Sequence, residues 1–216
     1  MSKMKPIAPK VMIIRHAEKP PEPPQTPPPF GVTYKGEQDE ESLIVRGWQR
    51  AGALASFLVP PPNAPFQNPS VAMPRFVYAS EIEGKKKDSE AESKGKRKKV
   101  GSKSRRPQET VTPLVEKMGS GVTADFTFDK GDEKALAASA LSRSDVVLIC
   151  WEHQDIPTIA KHIPVSPKTP VPKSWPVDDN GHSRFDVFWV FDLDTASCTY
   201  NFSQVPQCLL AGDSPV

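Results

Sequence analysis

Proline partitions this chain. There are 25 prolines in 216 residues, more than double an average share of about 5%, and they fall in blocks, chiefly 20–29, 60–74 and 157–176. Proline has a fixed φ and no amide hydrogen, so no such block can be an inner strand or the interior of a helix. Regular structure has to fit between them. Lys19 to Phe30 holds seven prolines and is therefore an extended surface segment, the first part of a proline-rich rim loop over 19–42. A loop of that length in a compact domain tends to be functional or disordered.

What lies between the blocks alternates in type. Val11 to Ile14 is a short, partly β-branched apolar run that stops at Arg15-His16, a buried strand with two polar residues at its end. From Leu43 to Leu58, the apolar residues Leu43, Ile44, Trp48, Ala51, Leu54, Ala55 and Leu58 recur at helical spacing despite Gly47 and Gly52. Phe76 to Ala79 predicts a second strand. A helix opens near Pro107, which suits a first helical position, and carries Val111, Leu114, Val115 and Met118 to a stop at Gly119. Residues 131–142 predict another helix, and Val146 to Trp151 is the best buried-strand candidate in the chain, ending at Glu152-His153. A helix over 155–162 and closing strands over 185–193 and 199–202 complete the pattern, with a hairpin around 194–197. Such alternation is the signature of an α/β fold, a three-layer sandwich with a mainly parallel sheet and helices on both faces.

Charge narrows the partners. The formal charge of +2 conceals two populations: residues 81–106 carry eleven Lys and Arg against five Asp and Glu, while the remainder carries seventeen against twenty-one. The stretch 81–104 has almost nothing to bury and is expected to be a disordered charged insertion in a single domain spanning 1–216. Its KGKRKK run at 94–99 is compatible with a nuclear address, but charge runs of this kind are usually solvated, so nucleic acid is not an expected partner. No apolar run approaches the roughly 20 residues of a membrane span and the first residues lack a signal-peptide apolar stretch. Three cysteines, Cys150, Cys198 and Cys208, make no disulfide framework, which fits a reducing compartment. The expectation is a cytoplasmic protein with no membrane association, the nucleus remaining open; oligomeric state is not legible.

The chemistry should sit where the strands end, because ligands in open α/β sheets bind outside the carboxyl ends of the strands. The first strand ends in Arg15-His16, the second leads through Ser80 and the insertion to Arg105-Arg106, and the third ends in Glu152-His153. Two imidazoles and at least two guanidiniums would converge on one rim. A guanidinium offers a rigid fork for phosphate oxygens, and an imidazole is a nucleophile whose phosphorylated form hydrolyses readily. Cys150 and His153 have the C-x-x-H spacing of half a zinc site, but no second pair with such spacing exists. His162 and His182 read as solvated surface residues. Phe185, Phe188, Trp189 and Phe191 read as sheet core, while Trp151 and Trp175 fit either a pocket wall or, equally well, the core.

These residues resemble the histidine phosphatase superfamily, the phosphoglycerate-mutase-like clan. Arg15-His16-Ala17-Glu18 after an apolar strand looks like its RHG signature. Arg106, four residues before Thr110 at a helix start, resembles its second arginine motif, and Val147 to His153 resembles the strand that delivers its second histidine. Leu43 to Leu54, with Gly47 and Gln49, resembles the helix after the first motif. The resemblance covers most of the chain apart from the proline loop and the insertion. It implies a metal-independent phosphatase without a cofactor, acting on a phosphorylated small molecule, with His16 as nucleophile and Arg15, Arg106 and His153 binding the phosphoryl oxygens. Phosphoryl transfer needs in-line positioning and charge neutralisation more than covalent work by the protein, so cations around a nucleophilic nitrogen suit it.

The departures matter too. Ala17 stands where the family usually has glycine. Arg105 also enters as a substrate-binding candidate, although the spacing to Thr110 favours Arg106. No carboxylate sits in an unmistakable family context for the general acid: Glu18, Asp132, Glu133 and Asp155 are the candidates, with Glu18 and Glu133 ahead of Asp155. Without a placed acid, good leaving groups such as phosphohistidine or acyl phosphate would turn over best, since protonating a poor one contributes about 10²- to 10⁴-fold. Two alternatives stay open: a sugar-phosphate mutase sharing the first step, and a non-catalytic module that binds phosphorylated ligands.

Overall fold

The apolar runs between the proline blocks become strands of one six-stranded sheet. A computed structural model describes residues 7–23, 25–64, 68–82 and 103–215. Its elements follow the order β1 (Lys10–Arg15), α1 (Val45–Leu58), β2 (Phe76–Ser80), α2 (Arg106–Met118), β3 (Thr123–Phe128), α3 (Glu133–Leu141), β4 (Val147–Trp151), α4 (Ile156–Ala160), β5 (Val187–Asp194) and β6 (Thr199–Pro206). Strand order is β3-β2-β4-β1-β5-β6. The four strands β3, β2, β4 and β1 pair in parallel, and the β5–β6 hairpin closes the β1 edge antiparallel. The fold is thus the α/β sandwich expected, with its sheet mainly parallel.

Strand periodicity sorts the core into two faces. Val11, Ile13, Val147, Ile149, Trp189 and Phe191 pack under α3 and α4 with Leu136, Ala140, Ile156 and Ile159. The alternate residues Met12, Ile14, Leu148, Cys150, Phe188 and Val190 pack under α1 and α2 with Leu54, Leu58, Val111 and Leu114. Two-sided burial explains why β1 and β4 read as continuous apolar runs rather than alternating ones. Trp189 is fully buried, with Trp175 5.1 Å and Phe202 5.5 Å away between ring centroids. Emptying such a site would cost about 3–5 kcal/mol.

One strand escaped the sequence reading. β3, with the sequence TADFTF, sits at the sheet edge and is exposed or half-buried along its whole length, so it lacks the apolar run by which the inner strands announce themselves. Another difference lies in α2, where Pro113 occupies the helix interior. A proline there removes one backbone hydrogen bond. Threonine hydroxyls bond back to carbonyls beside it, Thr110 to Arg106 at 2.7 Å and Thr112 to Gln108 at 2.8 Å.

The charged insertion expected over 81–104 falls almost wholly on residues 83–102, and its KGKRKK run entirely so, which lie outside the described residues. The rim loop is tied back on itself: Val32 bridges Gln38, and the Val32 amide donates to the Leu43 carbonyl at 2.8 Å. Among the described residues no helix is long and apolar enough to cross a membrane.

Candidate active site

The loop after β1 leads to α1 on one face of the sheet, and the loop after β4 leads to α4 on the other. Adjacent parallel strands whose connections diverge in this way open a crevice at their carboxyl ends. His16 stands at that crevice, one residue beyond the Arg15–Trp151 register pair, and its amide donates to the Trp151 carbonyl at 3.0 Å. His153 follows two residues after Trp151 on the neighbouring strand.

The tautomer of His16 is set by its own backbone neighbourhood. Nδ1 lies 2.8 Å from the Ala17 carbonyl, and a carbonyl only accepts, so Nδ1 carries the hydrogen and Nε2 keeps its lone pair. The Ala17 amide in turn donates to Thr110 Oγ1 at 2.8 Å. Thr110 therefore links the first turn of α2, which carries Arg106, to the backbone that orients His16. Burial, reinforced by the charges of Arg15, Arg106 and Lys19, holds the imidazole well below its ordinary 6.5 despite the favourable Ala17 contact. A buried ring among cations stays neutral because protonation would add charge where little water reaches.

Arg15 is 3% exposed. Its guanidinium lies 3.7 Å from the centroid of the Phe185 ring and donates to the Ser183 carbonyl, while Nε is buried with no partner. Burial draws it down to about 10, against the pull of Glu22 and Glu18, so it is charged at neutral pH. His153 is held low, to about 4, first by burial and then by Arg15 and Lys19, and its Nδ1 is buried without a partner. Trp151 Nε1 and Ser80 Oγ share that condition at the ends of β4 and β2. Buried polar atoms without partners are rare and call for an explanation; among the described residues, four such atoms lie along the carboxyl ends of three adjacent strands.

Arg106 bonds through its guanidinium to the carbonyls of Glu40 and Ser42, within ion-pair range of Glu41 at 3.6 Å. Its charge still bears on both His16 and Arg15. Arg105 turns elsewhere. Its side chain is half exposed and pairs with Asp39 at 3.2 Å.

The candidate acids are engaged by other partners. Glu18 is buried, and both its oxygens accept from the Arg50 fork at 2.8–3.1 Å, with Arg46 adding a bond at 3.2 Å. Arg50 also reaches Asp213 at 2.7 Å and Gln207 at 3.1 Å, tying the C-terminal segment to the residue two beyond His16. Gly47 permits this, because a Cβ there would meet the Glu18 carbonyl oxygen at 2.4 Å. Asp132 Oδ2 accepts the Asp129 amide, Glu133 accepts the Gly131 amide at 2.9 Å, and Asp155 pairs with Lys130 at 3.6 Å. Burial raises Asp155 above the usual carboxylate range.

Above the crevice lies a cleft of about 630 Å³ walled by Arg15, Lys19, Glu22, His153, His182 and Phe185 together with prolines of the rim loop. Asp132, Glu133 and Asp155 are not on that wall. Sequence reasoning placed Phe185 in the sheet core; it is half-buried just before β5 and stands over Arg15, 6.0 Å from the His16 ring. Trp151 and Trp175, open between pocket wall and core, belong to the core, 1% and 4% exposed. Cys150 is fully buried on the α1–α2 face, where burial pushes its thiol up. His162 is exposed as expected, whereas His182 is exposed and also on the cleft wall. Lys19 and Glu22, an ion pair on the same wall, were read only as part of the proline-rich loop; a lysine three residues after a candidate nucleophile was the available signal.

No protein-family model matches the chain, and no curated protein sequence does. Among solved structures it is similar to one from Agrobacterium tumefaciens described as the phosphohistidine phosphatase SixA, with a TM-score of 0.42 and 12% identity over 91% of this chain and 97% of that one. It is likewise similar to a protein histidine phosphatase SixA complexed with tungstate, with a TM-score of 0.41 and 13% identity over 92% and 97%.

Proposed function

We propose that this protein is a histidine phosphatase that hydrolyses a phosphomonoester through a phosphohistidine on His16. The observation that carries the reading is the state of His16: a neutral ring with Nδ1–H committed to Ala17 and Nε2 without a partner among the described residues, buried at the crevice between β1 and β4 next to Arg15 and within the field of Arg106. Nε2 attacks phosphorus in line while Arg15, Arg106 and His153 hold the non-bridging oxygens, and the Nδ1–H bond to Ala17 supports the charge that the ring acquires. Water then cleaves the N–P bond. Entry of the phosphoryl group requires Arg15 to exchange the Ser183 carbonyl for a phosphate oxygen, which the charge-assisted bond favours. Arg105 takes no part. Glu18 serves as the anion that anchors Arg50 rather than as a proton donor.

Hydrolysis of an aryl phosphate without added metal, with rapid quenching to trap an acid-labile phosphoenzyme, tests this. Wild type forms the phosphoenzyme and turns over; His16→Ala, checked by circular dichroism for retained fold, does neither. Turnover surviving in His16→Ala would overturn the mechanism. A screen over phosphomonoesters, phosphohistidine and acyl phosphates under the same conditions ranks substrates, and adding acceptor hydroxyls separates a phosphatase from a mutase.

A further inference from the structure

In-line displacement at His16 puts the leaving group on the side of phosphorus away from Nε2. His16 is 3% exposed, and its neighbours Arg15, His153 and Phe185 wall the cleft, so the leaving group is assigned to that cleft, bounded by the rim loop and the 181–185 segment. A departing oxygen there needs a partner. The carboxylates do not supply one. Glu18 is held by Arg50 and Arg46, while Glu22 is kept below the usual carboxylate range by its bond to Lys19 and stays ionised. Besides Arg15 and His153, Lys19 and His182 bring nitrogen donors to the wall. His182 is about three-quarters exposed and lies 3.5 Å from Asp178 on the outer rim. Lys19 has only 18% of its side chain exposed, and its charge reaches both imidazoles, where it helps to keep them neutral.

We propose that Lys19 is a catalytic residue that stabilises the departing oxygen, with Glu22 as its resting counter-ion. This rests on the phosphohistidine reading of His16. In the step, the Nε2–P bond forms and the P–O bond breaks, and the bond pair leaves on oxygen. The Lys19 ammonium exchanges the Glu22 carboxylate for a hydrogen bond to that oxygen, which takes its proton from solvent on release. A charge-assisted bond made to an oxygen as it becomes anionic is stronger in the transition state than in the bound substrate.

The test is a series of aryl and alkyl phosphates of increasing leaving-group basicity, followed by the single-turnover rate of phosphoenzyme formation. Lys19→Met should lie within about threefold of wild type for the most acidic leaving group and fall behind by about 10²-fold for the most basic, in the range set by losing a leaving-group partner. Lys19→Arg, which keeps the charge, should restore the shallow wild-type dependence. A uniform loss across the series would overturn the proposal by placing Lys19 on the phosphoryl oxygens, and no loss would overturn it outright. A steep loss in His182→Ala with an unchanged slope in Lys19→Met would give the role to His182 and equally overturn it. If wild type itself forms no phosphoenzyme on His16, the parent reading falls as well; if it does and the Lys19→Met series runs parallel to wild type, only the assignment of Lys19 falls.

Discussion

Thr110→Val removes one hydroxyl at the junction between the two motif segments. Thr110 is 1% exposed; Oγ1 accepts from the Ala17 amide at 2.8 Å and donates to the Arg106 carbonyl at 2.7 Å. Valine has nearly the same shape, so little packing changes, but the Ala17 amide, in a residue with no exposed surface, is left without that partner. Leaving a buried donor unsatisfied costs about 1–3 kcal/mol. In a chain of this length each kcal/mol lowers the melting temperature by roughly 2–4 °C, so Thr110→Val should melt about 2–12 °C below wild type. Thr110→Ser keeps the hydroxyl and should recover most of that difference. Because Ala17 also receives the His16 Nδ1 hydrogen, phosphoenzyme formation should slow in the valine variant and return in the serine one. Thermal unfolding followed by circular dichroism, with rapid-quench phosphorylation on the same samples, reads both effects. A valine variant that melts within 1 °C of wild type, to use about half the smallest expected shift, would refute the claim that this contact orders the site.

Other consequences follow from buried charge. Arg50→Ala leaves buried Glu18 and Asp213 with only the half-exposed Arg46 as a shared cation, and breaking such a buried pair costs up to about 3–5 kcal/mol, measurable as a drop in the urea midpoint. Gly47→Ala should destabilise despite alanine's better helix propensity, since the added methyl meets the Glu18 carbonyl oxygen at 2.4 Å; an unchanged midpoint would contradict the close approach. The low folded values of His16 and His153 mean that the unfolded chain binds more protons below pH 6.5. Their contribution is therefore complete above pH 6.5 and is lost on acidification, for His153 down to about pH 4. An NMR titration should place the His153 midpoint near 4; a midpoint near 6.5 would count against its burial among cations.

Legibility in the sequence tracked burial and local chemistry. β1 and β4 were readable because strands covered on both faces must be apolar at every position, and the residues that stop those runs are the ones the crevice uses. Edge strand β3 was not readable, since a strand half in water carries no such run. Proline blocks were reliable as loops because the ring's constraint on φ and its missing amide hydrogen need no tertiary context.

The sequence by itself determined the α/β alternation, the loop positions and the delivery of Arg15, His16 and His153 to the ends of strands. Tertiary structure decided the rest. Glu18 and Lys19 are adjacent polar residues that look equivalent as text, yet one is paired into a buried network with Arg50 and Asp213 while the other lines the cleft with Glu22. Phe185, read as sheet core, lines the cleft, and Trp151, open between wall and core, lies in the core. The physical reason is common to all of them. A motif specifies what a side chain can do, but its protonation state, its partner and its access to water depend on groups contributed from distant positions, and those exist only once the chain has folded.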